Sequence, residues 1–171
     1  MAILAKLQEL LDGRGIDYEV LNHPAAYTAQ QVAEEEHIPG REFAKVVVVK
    51  GSDRFFIGIL PAPDHVNLGR FSRLVGMPVR LATEGEFSGL FPGCEPGAMP
   101  PIGDLFGMEV FMEDTLTRRF YIAFNAGNHR QSIRLRTKDF MLIVHPRVAA
   151  FSNHIAVEAQ VRPLCKSEGC V

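Results

Sequence analysis

Apolar residues recur at Ile3, Leu4, Leu7, Leu10 and Leu11, the spacing of one helical face, and Gly13 is a natural stop. Residues 16–21, IDYEVL, alternate apolar with polar and predict a strand that ends in the loop Asn22-His23-Pro24. Thr28 with Gln31 three positions on forms a capping box, which starts a helix running to about Glu36; Pro39-Gly40 ends the connection. The run 44–49, AKVVVV, is too short and too valine-rich for a helix and suits a strand covered on both faces. Residues 54–60, RFFIGIL, are its expected partner across the turn Gly51-Ser52-Asp53.

Asn67 is placed to cap a helix carrying Leu68, Phe71, Leu74 and Val75, which Gly76 and Pro78 terminate. A short strand at 79–81 follows, and Thr83 with Glu86 repeats the capping-box pattern ahead of a short helix towards Phe91. From 92 to 103 the chain reads PGCEPGAMPPIG, a stiff loop rich in proline and glycine. Strands are expected at 109–112, 119–125 and 131–136, the last two joined as a hairpin through Gly127-Asn128. Thr137 is the expected cap of a final helix, 138–144, and an extended stretch at 155–161 is the one pattern in the remaining tail. Strands alternate with helices and hairpins are present, so the class is α/β (α+β), a single domain with a mixed sheet flanked by helices.

The 171 residues fit one compact domain, and 47% hydrophobic residues against 22% charged exclude a disordered chain. No apolar stretch is long enough to span a bilayer, and the charge at Lys6 interrupts any signal-peptide pattern, so the expected compartment is the cytosol. The net charge of −2 excludes a protein that coats nucleic acid through a global positive field. Charge is nonetheless uneven: Arg118, Arg119, Arg130, Arg134 and Arg136 lie in a stretch without a carboxylate, and Glu34-Glu35-Glu36 offsets them. By themselves both runs read as solvated surface.

Phosphate-loop, dinucleotide, zinc-protease and serine-hydrolase motifs are absent. The six histidines, at 23, 37, 65, 129, 145 and 154, form no short ligand pair, so no metal is expected. Cys165 and Cys170 in the tail, with Cys94, read as free thiols. Cys94 is also the one candidate for a cysteine nucleophile, a weak signal because any Cys with any His would give it. Lys45 opens an otherwise interior strand: it either snorkels to solvent from the strand's first position or holds an ammonium in a cleft. The loop 93–103 is either a stiff connection or a backbone that points amides at a phosphate or an oxyanion.

In combination these residues resemble a known family. His23-Pro24 with Tyr27-Thr28, Ala44-Lys45 before the valines, GAMPPIG at 97–103, the hairpin at 120–133 and Asp139-Phe140 occur in one order. That order resembles the YbaK/prolyl-tRNA synthetase-associated family of aminoacyl-tRNA deacylases, over about residues 15–152. The resemblance divides the chain into an editing domain, 1–152, and a tail, 153–171, of unassigned role. The family's lysine maps to Lys45 and its G-x-x-x-P loop to Gly97 and Pro101, which become the catalytic candidates. His23, Tyr27, Thr28, Ala98, Met99, Gly103 and His129 become substrate-binding candidates, and Arg130, Arg134 and Arg136 candidates for tRNA contact. The residue before Gly103, often aromatic in that family, is Ile102 here, a departure that bears on amino-acid specificity.

The reaction implied is hydrolysis of the ester joining a wrong amino acid to the tRNA 3′ end, with tRNA for proline as the candidate acceptor. Such an ester needs placement and charge stabilisation more than a covalent nucleophile. A second hydrolytic site is needed where a synthetic pocket cannot reject amino acids of similar or smaller size. No cofactor is implied. The implied partners are aminoacyl-tRNA and, as a further candidate, an aminoacyl-tRNA synthetase. The alternative from another class is a module that binds the tRNA 3′ end or a nucleotide without hydrolysis.

Overall fold

The computed structural model describes residues 3–154. The chain opens with α1 (Ile3–Gly13), whose Leu7 and Leu11 are fully buried, as the apolar spacing requires. Strand β1 (Tyr18–Asn22) and helix α2 (Ala29–Glu35) follow. The Thr28 cap is real: its hydroxyl accepts the Gln31 N–H at 3.2 Å, and the Gln31 side chain accepts the Thr28 N–H at 3.3 Å.

The valine run is β2 (Ala44–Lys50), antiparallel to β3 (Phe55–Pro61), with Lys45 opposite Leu60. A short strand β4 (His65–Val66) leads into α3 (Leu68–Val75), capped by Asn67 and closed by Gly76 in the left-handed conformation. Then come β5 (Arg80–Leu81), the one-turn helix α4 (Glu84–Phe87), the loop, and β6 (Glu109–Glu113). The chain continues through β7 (Tyr121–Asn128), β8 (Gln131–Arg136), α5 (Thr137–Val144), β9 (Arg147–Ala149) and β10 (Ser152–Asn153).

One sheet is mixed, in the order β5-β2-β3-β6-β9, with β3, β6 and β9 parallel and the other pairs antiparallel. A second sheet, β1-β8-β7, is antiparallel, and β10 pairs with β4. The largest buried cluster joins α1 and α5 to the inner faces of both sheets through Leu7, Leu11, Val48, Ile57, Phe124, Ile133 and Phe140. On the other face of β2 and β3, Phe71 of α3 packs its ring 4.9 Å from Phe111 and 5.2 Å from Phe151. Emptying so tightly packed an aromatic site costs about 3–5 kcal/mol. Strand β2 is therefore covered on both faces, as its valines predict.

Three local expectations need correction. The hairpin turns at His129-Arg130, because Asn128 still pairs with Gln131. Gly127, at φ 95°, instead forms a bulge between Asn125 and Asn128, and the Asn128 Oδ1 accepts the Arg130 N–H at 2.9 Å to close the turn. Thr137 does not cap α5: it is the first helical residue and Arg136 holds the cap position. The strand expected from Arg119 begins at Tyr121, since a 3-10 turn, Asp114–Arg118, occupies the approach. Asn153 pairs with His65 in the short ladder of β10 and β4. The stretch at 155–161, Cys165 and Cys170 lie outside the described residues.

Candidate functional site

The two main sheets meet just before Lys45. Phe43 bridges to Ala123 in parallel register, and the Ala123 N–H donates to the Glu42 carbonyl at 3.0 Å. Two residues further along each strand, Lys45 and Asn125 come to one cleft of about 300 Å³, lined also by Thr28, Ala29, Gln30, Val46, Ala62 and Gly97. Of the catalytic and substrate candidates, Lys45, Gly97 and Thr28 are thus brought together. Asn125 is new. As a polar residue inside a strand pattern it carries no sequence signal of its own.

Burial lowers the pKa of Lys45 from its ordinary value, and the nearby charge of Asp64 partly offsets this. Asp64 is fully buried and holds Arg41 and His154, the latter at 2.7 Å. Lys45 has no ion pair within 4.0 Å among the described residues. Among the described residues no carboxylate lines its cleft, and the ammonium is the dominant charge there.

The glycine-proline loop is sewn to the bulge of β7. Glu95 N–H donates to the Gly127 carbonyl at 2.8 Å, and Gly127 N–H donates to the Ala98 carbonyl at 2.9 Å. His129 packs its ring 4.9 Å from that of Tyr27, which is 71% exposed. Gly97 adopts φ +86°, open to glycine and strained for other residues. Its N–H meets the Met99 sulfur at 3.1 Å, a weak acceptor that leaves the amide available to a stronger one. The Ala98 N–H, by contrast, is committed to the Glu95 carbonyl at 3.0 Å.

The remaining loop candidates do not line this cleft. Ala98, Met99, Pro101 and Gly103 are buried. A Cβ on Gly103 would stand 2.2 Å from the Met108 carbonyl oxygen, so this glycine answers a close backbone approach. The departing Ile102 is 1% exposed and belongs to the core.

His23 stands apart from the Lys45 cleft. It borders a neighbouring cleft of about 530 Å³ with Asn22, Glu95, Asn128, Arg130 and Gln131. Its Nδ1 donates to the Pro24 carbonyl at 2.8 Å, and its Nε2 lies 3.7 Å from buried Glu36. Burial pushes the Glu36 carboxyl up, opposed by the Ser132 hydroxyl and by His23. Arg134 and Arg136 share one face of β8 and both have carboxylate neighbours: Glu19 at 3.4 Å for Arg134, Asp139 at 2.9 Å and Asp17 at 4.0 Å for Arg136. Arg130 is exposed at the hairpin tip beside His129, and no carboxylate approaches it within 4.0 Å among the described residues.

Cys94 is packed against the main core, and burial pushes its thiol up to about 11. A thiol so held is protonated at neutral pH and is a poor nucleophile. Among the described residues no group of three or more His, Cys, Asp or Glu is placed to hold a metal ion, and no helix is long and apolar enough to cross a membrane.

The chain is similar to known proteins over most of its length. A multifunctional Ser/Thr-tRNA deacylase, ProXp-y, of Escherichia coli strain K12 is 31% identical over 152 residues, covering 85% of this chain and 90% of that protein. The Escherichia coli O157:H7 protein of the same description matches equally. Among solved structures, a candidate trans-editing enzyme for prolyl tRNA synthetase superposes with a TM-score of 0.79 at 24% identity, covering 90% of this chain and 99% of its own. The hypothetical protein APE2540 gives the same TM-score, 0.79, at 21% identity, with 86% and 99% covered. Residues 23–143, which hold Lys45, the loop and the hairpin, match the aminoacyl-tRNA editing domain, and the chain belongs to that family.

Proposed function

We propose that the Lys45 cleft binds the aminoacylated 3′ end of a mischarged tRNA and hydrolyses its ester, with serine and threonine as the amino acids removed. The chain is an aminoacyl-tRNA deacylase by family. The choice of serine and threonine rests on the named activity of the Escherichia coli relative. The observation that carries the site is Lys45 itself, a half-buried ammonium without an ion-pair partner among the described residues, facing a cleft beside Gly97.

Water adds to the ester carbonyl, and its oxygen becomes bonded to the carbonyl carbon. Negative charge then builds on the former carbonyl oxygen, where the Lys45 ammonium and the Gly97 N–H supply stabilisation fixed in advance of the reaction. Collapse breaks the bond to the ribose oxygen, which leaves with a proton in place of the one the water gave up. The exposed Tyr27 ring, next in sequence to Thr28 of the cleft wall, is our candidate stacking face for an unpaired base, and Arg130 our candidate contact to the adjoining phosphate. Arg134 and Arg136 are the further candidates for phosphate contact, each in competition with its carboxylate neighbours. The site belongs to the editing domain assigned to residues 1–152, and a synthetase that delivers the tRNA is the partner this reading implies.

A panel of tRNAs charged with each small amino acid, followed by release of the amino acid, tests the reading. Release of serine and threonine at rates proportional to enzyme, lost in Lys45→Ala, is the expected result. Binding of tRNA with no release from any member of the panel would overturn it.

A further inference from the structure

The polar inventory of the Lys45 cleft is short. The Thr28 hydroxyl accepts the Gln31 N–H and keeps its own O–H as a donor, and Ala29, Val46, Ala62 and Gly97 offer no polar side chain. Beside the Lys45 ammonium and that hydroxyl stand the Gln30 and Asn125 amides, whose oxygens are the strong side-chain acceptors of the cleft among the described residues. Asn125 is 8% exposed, and its Oδ1 is buried without a hydrogen-bond partner among the described residues. Its strand neighbour in register, Ser132, turns its hydroxyl to Glu36 instead.

A buried carbonyl oxygen with no donor is costly, and native proteins seldom keep one without a use. A ligand that brings a donor removes the cost. The bridge at Phe43 and Ala123 sets Asn125 abreast of Lys45, so the donor must belong to the part of the substrate next to the ester carbonyl. We infer that Asn125 is a specificity-determining residue, its Oδ1 accepting the side-chain hydroxyl of the esterified serine or threonine.

The chemistry favours a hydroxyl. It is neutral and can lie beside the Lys45 ammonium without repulsion, and it fits an otherwise apolar wall of alanines and valine. A site built to hydrogen-bond a substrate hydroxyl also rejects the analogue that lacks it, because the protein group is then left unpaired. The apolar wall by itself would separate serine from alanine poorly. The inference rests on the deacylase reading above and adds to it the residue that selects the amino acid.

The test compares kcat/KM on one tRNA charged with serine or with alanine. The wild-type chain is expected to prefer the serine ester by about tenfold or more. Asn125→Ala should bring that ratio close to one, chiefly by slowing serine release, with alanine release little changed. Asn125→Asp keeps an acceptor of the same shape; its carboxylate, set beside Lys45, should slow both esters, but the ratio between them should be retained, which serves if Asn125→Ala does not fold. An unchanged ratio in folded Asn125→Ala, a lost ratio in folded Asn125→Asp, or a wild type without preference would overturn the inference while leaving the deacylase reading intact. A wild type that releases neither amino acid overturns that reading, and the inference with it.

Discussion

His129 donates its Nε2 proton to the carbonyl of Pro96 at 2.9 Å, and this bond ties the tip of the β7–β8 hairpin to the residue preceding Gly97. A carbonyl only accepts, so the proton sits on Nε2, and the buried Nδ1 is left without a partner among the described residues. The His129 backbone N–H reinforces the contact by donating to the Glu95 carboxylate at 2.9 Å. Two segments remote in sequence thus place the Gly97 amide at the Lys45 cleft.

Removing that tie should separate activity from stability. His129→Ala is expected to cost about 1 kcal/mol of folding free energy. Its kcat/KM should fall by roughly tenfold or more, because misplacing a stabilising group costs more than losing a single bond. Denaturant melts beside serine release check both; unaltered release would detach the histidine from the site.

Lys45→Ala should lower deacylation by at least about a hundredfold and leave the melting temperature nearly unchanged, since removing one oxyanion donor costs that much in rate. Its pH profile follows from burial. The folded pKa of Lys45 lies below its ordinary value, so the unfolded chain binds the proton more tightly than the folded one. The penalty on stability is present below the folded pKa and is relieved as pH rises through it. Activity runs the other way: after correction for spontaneous ester hydrolysis, the rate should decline with pH before free lysine would titrate. A rate that climbs steadily through that range would exclude the ammonium as the working form.

The two glycines of the loop should fail differently. Gly103→Ala drives a Cβ against the Met108 backbone at 2.2 Å and should destabilise by several kcal/mol, in keeping with about 1–3 kcal/mol or more for overpacked sites. Gly97→Ala meets only the His129 ring at 3.6 Å, so its cost is the left-handed backbone, about 1–2 kcal/mol. That variant should fold yet lose activity as the amide is displaced. Thermal melts of both, alongside serine release, distinguish the roles.

Cys94→Ala should retain full turnover, and iodoacetamide at neutral pH should modify Cys94 slowly, because its thiol is held near 11. Peptide mapping by mass spectrometry identifies which cysteine has reacted. Loss of turnover in a folded Cys94→Ala variant would return the thiol to the mechanism.

For tRNA binding, Arg130→Ala should weaken affinity and reduce the slope of log K against log salt by about one, since one phosphate contact goes. Arg134→Ala with Arg136→Ala should change the slope less than two free arginines would, because Glu19, Asp17 and Asp139 already neutralise them. Filter binding over a range of salt measures both slopes. A drop of two for the double variant would mean that RNA displaces those carboxylates.

Local patterns determined most of the elements, because capping and apolar periodicity act over three or four residues. Thr28 with Gln31, Asn67 ahead of Phe71 and the valines of β2 needed no partner to be legible. Family resemblance added Lys45 and Gly97 to the reading, whereas spacing alone left each with two meanings. Tertiary structure decided the rest. The arginine stretch contains no carboxylate of its own, yet folding brings Glu19 from β1 and Asp139 from α5 to it. Pro101 and Gly103 share the loop with Gly97, but packing buries them while Gly97 lines the cleft. Asn125 joins Lys45 only because a bridge at Phe43 and Ala123 sets two distant strands in register. Which side chains share a cleft depends on such long-range pairings, and no short-range spacing in the chain encodes them.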